Sequence, residues 1–197
     1  MIVLDVETTG TDFKKNSIVS IGALDFFNPL NQFYAECKVF EGAEITEQAL
    51  AVNGFTREQV LFTNRYSLEE AVIKYLGWSN RIKEKTIAGE NSRFDRDFLN
   101  ASFESYGLKR IPFRTIDLHT LSYENHLIKG ISIPLKEGVS DINLDSTLNY
   151  VGLPSEPTPH NALTGAKFEA EAISRIVYGK NLFDSFREFP IPDYLRK

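Results

Sequence analysis

Apolar residues crowd the start of the chain and then thin into two different rhythms. Met1 to Val6 is a near-continuous apolar run, while SIVSIGALDFF at 17–27 and NQFYAECKVF at 31–40 are two β-rich runs joined by an Asn-Pro-Leu-Asn turn. Short runs of β-branched and aromatic residues bounded by turn formers predict three consecutive strands, largely hairpin-connected. After them, TEQALAVNGF and SLEEAVIKYLGWSNRIK carry apolar positions at helical spacing, TIAGE is a short strand, and SRFDRDFLNASFESYG is an amphipathic helix ending at Gly107. Residues 114–128 suit a strand or a helix equally, and 129–143 read as a loop punctuated by Gly and Pro. Helices at about 144–152 and 161–178 precede a Pro-rich tail. An all-strand opening followed by alternating strand and helix predicts an α/β fold, with a mixed central sheet begun by antiparallel strands and flanked by helices. The expected division is a domain over 1–178 and a C-terminal tail over 179–197 that packs on it or extends from it.

Composition narrows the field. Hydrophobic residues make up 42% and charged residues 25% of the 197, which excludes disorder, collagen and coiled coil. Lys+Arg 22 against Asp+Glu 27 leaves a net charge of -5, so any contact with a polyanion has to be local. Cys37 is the one cysteine, expected as a buried thiol in a reducing compartment. No apolar run approaches a membrane span, and MIVLDVETTG lacks the basic segment of a signal peptide, so the expected location is cytoplasmic.

Three places could carry chemistry. On a strand, Asp5 and Glu7 share one face while Ile2, Leu4 and Val6 share the other. Two carboxylates at the end of a buried strand repel and lose hydration unless a cation or strong hydrogen bonds compensate, and hard oxygen donors suit Mg²⁺ or Mn²⁺. Thr8-Thr9-Gly10 then forms a turn whose backbone N–H groups could receive a phosphate or sugar. Asp95 falls among Phe94, Phe98 and Leu99 in the first turn of its helix, whereas Asp97 projects with the polar face. Of the histidines, His119 reads as half-buried and satisfied, His126 as surface, and His160 as held at a helix entrance behind Pro154, Pro157 and Pro159.

Taken in order, DVETTG at 5–10, AVNGFT at 51–56, AGENSRFDRDFL at 88–99 and TPHNALTGA at 158–166 resemble the successive motifs of the DnaQ-like, DEDDh-type 3′→5′ exonucleases. The resemblance covers roughly 1–178. It implies an RNase H-like fold and release of nucleoside 5′-monophosphates from the 3′ end of single-stranded or frayed DNA or RNA. It also implies a two-metal site taking Mg²⁺ or Mn²⁺ on Asp5, Glu7 and Asp95, with His160 as general base. Thr8, Thr9 and Phe94 are the candidates for contacting the terminal nucleotide, and the family leaves room for a polymerase or a replication or repair partner. One position departs. Where the family carries a metal-binding Asp five residues after the histidine, this chain has Gly165, which is expected to leave a gap in the ligand set and weaken one metal site. Glu169 stands one helical turn on, about 5.4 Å of rise away, too far for simple substitution. The competing expectation is a non-catalytic protein that binds nucleic-acid 3′ ends.

Overall fold

A computed structural model describes residues 1–62 and 64–196. Strand β1 (Ile2–Thr8) pairs antiparallel with β2 (Ile18–Asp25), which pairs antiparallel with β3 (Asn28–Glu36). Helices α1 (Glu47–Asn53), α2 (Arg57–Phe62) and α3 (Leu68–Ser79) follow, then β4 (Ile87–Gly89), α4 (Ser92–Ser105), β5 (Thr115–Asp117) and α5 (Leu118–Lys129). A two-stranded ribbon, β6 (Leu135–Lys136) and β7 (Val139–Ser140), precedes α6 (Leu144–Tyr150) and α7 (Ala162–Tyr178). The main sheet runs β3-β2-β1-β4-β5, with β4 and β5 parallel to β1. The expected mixed sheet, antiparallel first, is what forms.

The sheet has apolar side chains on both faces, so helices cover both. Ile2, Leu4 and Val6 meet Val72, Tyr75, Phe98, Leu99 and Phe103 of α3 and α4. Met1 and Val3 meet Ala166, Ala170 and Ile173 of α7, together with Leu118 and Leu148. Gly22 lets α7 approach, because a Cβ there would run into the backbone of Ala162 and Leu163. Ser67 opens α3 with a capping box: its hydroxyl accepts from Glu70 N, and the Glu70 carboxylate accepts from Ser67 N.

Local expectations need four corrections. The β2–β3 turn lies at Phe26–Phe27, where the Asp25 carboxylate accepts from Phe27 N, and Asn-Pro-Leu-Asn already belongs to β3. Pro29 is tolerated there because β3 is an edge strand. Residues 114–128 are both alternatives in turn, a three-residue strand and then a helix capped by Asp117. Helix α2 and the β6–β7 ribbon were not expected from periodicity. His126 is buried, its ring stacked on Tyr150 at 3.8 Å and its Nδ1 2.8 Å from Ser122 O, so the surface assignment fails.

Beyond α7 the tail is tied down from within. Glu171 and Arg175, both fully buried, form an ion pair at 2.9 Å. The guanidinium donates to the carbonyls of Val151, Phe186 and Phe189, and Glu171 accepts from Leu182 N and Phe183 N.

Candidate active site

The site begins where β4 stops. β4 pairs with β1 only through Ile2 and Val3, so further along β1 the edge facing β4 lacks a strand partner. Asp95, in the first turn of α4, takes up that edge by accepting from Val6 N at 2.9 Å. Asp5 and Glu7 project from the face that carries Val3, towards α7. Burial raises the Glu7 carboxyl to about 7, helped by the negative charge of Glu156. Burial also raises Asp95 to about 8 against the Val6 N–H that pulls it down. Asp5 is pushed well up by burial and then by Asp95, Glu7 and Glu156.

His160 is fixed from its backbone. Its N–H donates to Val52 O at 3.0 Å. Gly54, at φ 73°, caps α1 and packs so closely on Pro159 that a Cβ would stand 2.6 Å from that ring. Asn53 ties the same turn to β1 by donating to Thr8 O. Asn161 then caps α7, its side-chain oxygen accepting from Leu163 N and Thr164 N. The AVNGFT segment thus clamps the histidine loop against the end of β1. The His160 ring is 37% exposed, with Nδ1 3.8 Å from Glu156 Oε2.

The remaining expectations divide. A cavity of about 530 Å³ beside Glu7 is lined by Thr8, Gly10, Val52, Asn53 and Phe94, among others. Thr8 and Phe94 therefore border open space, the Phe94 ring tilted against that of Phe98 with centroids 4.7 Å apart. Thr9 does not: it is fully buried, and its hydroxyl donates to Glu44 O and accepts from Ser17 N, which leaves nothing for a substrate. Asp97 is held by Arg93 and Arg96, away from the cluster. His119 is half-buried, its Nε2 3.1 Å from Ser140 Oγ. Cys37 is buried as expected.

Against this geometry, the family model described as Exonuclease, that of the RNase T family, matches residues 2–172. The chain belongs to that exonuclease family. Ribonuclease T of Haemophilus influenzae is 26% identical over 148 residues, 68% of this chain and 64% of its own length. The chain thus spans just under two thirds of that relative. In structure it resembles E. coli exonuclease I in complex with a dA16 oligonucleotide (TM-score 0.69, 17% identity, 94% of this chain and 42% of that one). It also resembles the nuclease domain of 3′hExo, a DEDDh family member bound to rAMP (TM-score 0.67, 18% identity, 98% and 95%). The fold is that of the DnaQ-like exonucleases in the RNase H-like superfamily.

DEDDh exonucleases generally depend on divalent metals, and the donor set of this family member fits such ions. Among the described residues no three His, Cys, Asp or Glu side chains form a ready cage. Yet none of Asp5, Glu7, Asp95 and Glu169 has a Lys or Arg partner among the described ion pairs. Glu90 Oε2, Glu156 Oε1 and Glu169 Oε2 are buried without any hydrogen-bond partner, a costly state that a cation would relieve. Sequence reading missed Glu90 and Glu156 and set Glu169 aside. Glu169 reaches the cluster because Gly89 has no side chain: a Cβ there would stand 2.8 Å from Glu169 Oε2. Its other oxygen accepts from Glu90 N. Gly165 does face Asp5, but the space beside it is not open, since a Cβ there would strike Asp5 Oδ2 and stand 3.3 Å from Glu156 Oε1.

Proposed function

We propose that this chain is a divalent-metal-dependent 3′→5′ exonuclease that removes nucleoside 5′-monophosphates from single-stranded or frayed nucleic-acid ends. One observation carries the reading: Asp5 and Glu7, Asp95, and the His160 loop, from three distant stretches of chain, meet at one end of β1 around buried carboxylate oxygens with no basic partner. Asp5, Glu7 and Asp95 would hold Mg²⁺ or Mn²⁺. Divalent ions, when bound, supply Lewis acidity to the attacking water and to the scissile phosphate. His160, with part of its ring exposed and its backbone clamped, takes the proton of that water, a task suited to imidazole near neutral pH. Thr8 and Phe94 border the cavity in which the terminal nucleotide would rest, Phe94 offering an aromatic face to its base or sugar. The oligonucleotide held by exonuclease I and the rAMP held by 3′hExo support this class of ligand.

The test is incubation of 3′-labelled, 5′-labelled and circular single strands with Mg²⁺ or Mn²⁺. Mononucleotides should leave from the 3′ end and EDTA should stop the reaction. Shortening from the 5′ end, cleavage of the circle, or activity undiminished by chelation would overturn the proposal. Gly165 supports a second reading, a 3′-end binder without turnover, which predicts retention of the strand end with no product at all.

A further inference from the structure

We propose that Glu156 supplies the carboxylate that Gly165 does not, entering from the loop ahead of α7 into the space beside Asp5. The inference rests on the metal-dependent reading above and deepens it. Gly165 sits inside a 17-residue helix, where glycine costs about 1 kcal/mol relative to Ala, so its place needs a reason other than helix stability. The space that a side chain would fill there is taken by the ends of two others. A Cβ at 165 would collide with Asp5 Oδ2 and crowd Glu156 Oε1 at 3.3 Å, so Asp5, residue 165 and Glu156 compete for one small volume.

Glu156 itself behaves as a ligand rather than a loop acid. It lies in a run of Pro154, Pro157 and Pro159, where an acidic side chain could readily face water, yet its side chain is only 6% exposed. Oε1 is buried, unpartnered and on the Asp5 side. Oε2 stands 3.8 Å from His160 Nδ1, too long for a strong hydrogen bond, so orienting the histidine does not account for the burial. Glu156 stands by Gly165 and His160, whereas Glu169 stands by Gly89. Glu169 also spends one oxygen on Glu90 N. The two extra glutamates therefore occupy different places, and it is Glu156 that lies beside Gly165 and His160. In this chain a carboxylate four residues before the histidine replaces one five residues after it.

Calorimetric titration of Mn²⁺ into the full chain tests this directly, with Mn²⁺-induced thermal stabilisation as a second readout and circular dichroism as the check on folding. Glu156→Gln keeps the side chain's shape and should weaken Mn²⁺ binding about tenfold or more, with Glu156→Ala doing the same. Gly165→Asp alone should bring little gain in affinity, because Glu156 already supplies a carboxylate there. Combined with Glu156→Ala it should recover at least part of the lost affinity. Wild-type affinity in both Glu156 variants, with Asp5→Asn abolishing binding, would overturn the role of Glu156 and leave the metal-dependent reading standing. Equal Mn²⁺ titrations for the wild type and Asp5→Asn would overturn both.

Discussion

His160 can be removed with little threat to the fold, because what holds its loop is backbone and neighbours: Val52 O on its N–H, Gly54 against Pro159, and Asn161 on the next helix. His160→Ala should therefore lower turnover by roughly 10²–10⁴-fold with an unchanged unfolding midpoint. His119→Ala, which loses the contact with Ser140, should act through stability instead. Single-turnover assays beside urea unfolding separate the two, and full turnover without His160 would remove it from the mechanism. The acids make a different expectation. Glu90 is raised to about 7, chiefly by burial and then by Asp117, and Glu7 is raised to about 7 as well. A carboxyl whose folded pKa exceeds its unfolded value near 4.3 keeps a proton that the unfolded chain has released. Its contribution is fully present below the unfolded pKa and is lost as pH rises through about 7. In EDTA the unfolding temperature should thus fall between about pH 5 and 8, less steeply in Glu90→Gln. A rise over that window would contradict the burial of these groups.

Among the elements, α7 carries the heaviest load. Its first turn lies on β2 at Gly22, its second turn faces Asp5 through Gly165, and its last turns hold Arg175 and Glu171. The pair is fully buried, and the guanidinium also satisfies carbonyls from the α6 end and from the tail. Arg175→Ala removes the cation from a buried ion pair and three carbonyls' donor with it, and should cost about 3–5 kcal/mol in urea unfolding. Backbone amides of Leu182 and Phe183, which donate to Glu171, should lose exchange protection at the same time. A loss below about 1 kcal/mol would mean that the tail is held by its phenylalanines, among them Phe183 and Phe186, rather than by the buried pair.

At the scale of the molecule, a net charge of -5 has to coexist with a polyanionic ligand. Binding that rests on a few local contacts releases few counterions. The affinity of His160→Ala for a single-stranded oligonucleotide in Mg²⁺ should therefore fall with log salt at a slope of only about -1.4 to -2.1, the value for two or three phosphates. Fluorescence anisotropy across salt concentrations measures it. A slope several times steeper would require an extended basic track. Among the described residues no helix is long and apolar enough to cross a membrane.

Periodicity and motif order sufficed for the three opening strands, the helices at α3, α4 and α7, the mixed sheet, and the candidates Asp5, Glu7, Asp95 and His160. The strands and helices depend on interactions close along the chain, such as alternation along β1, an apolar stripe on α4 and a cap before α7, and the candidates on motifs of a few residues each. The β2–β3 turn escaped because Asp25 makes it with a side chain, not with Pro or Gly. His126 escaped because its partner, Tyr150, comes from another helix. The same applies at the site. Thr9 looked available until Glu44 and Ser17 took its hydroxyl, and Glu156 drew no notice until the fold buried it beside Gly165. Gly165 is the sharpest case: in the sequence it is an absence, while in the fold it is the room that Asp5 and Glu156 occupy. Which groups can contribute chemistry is written in residue types and short spacings; which oxygens end up buried, unpaired and facing one another depends on side chains brought together from distant segments, and only tertiary packing does that.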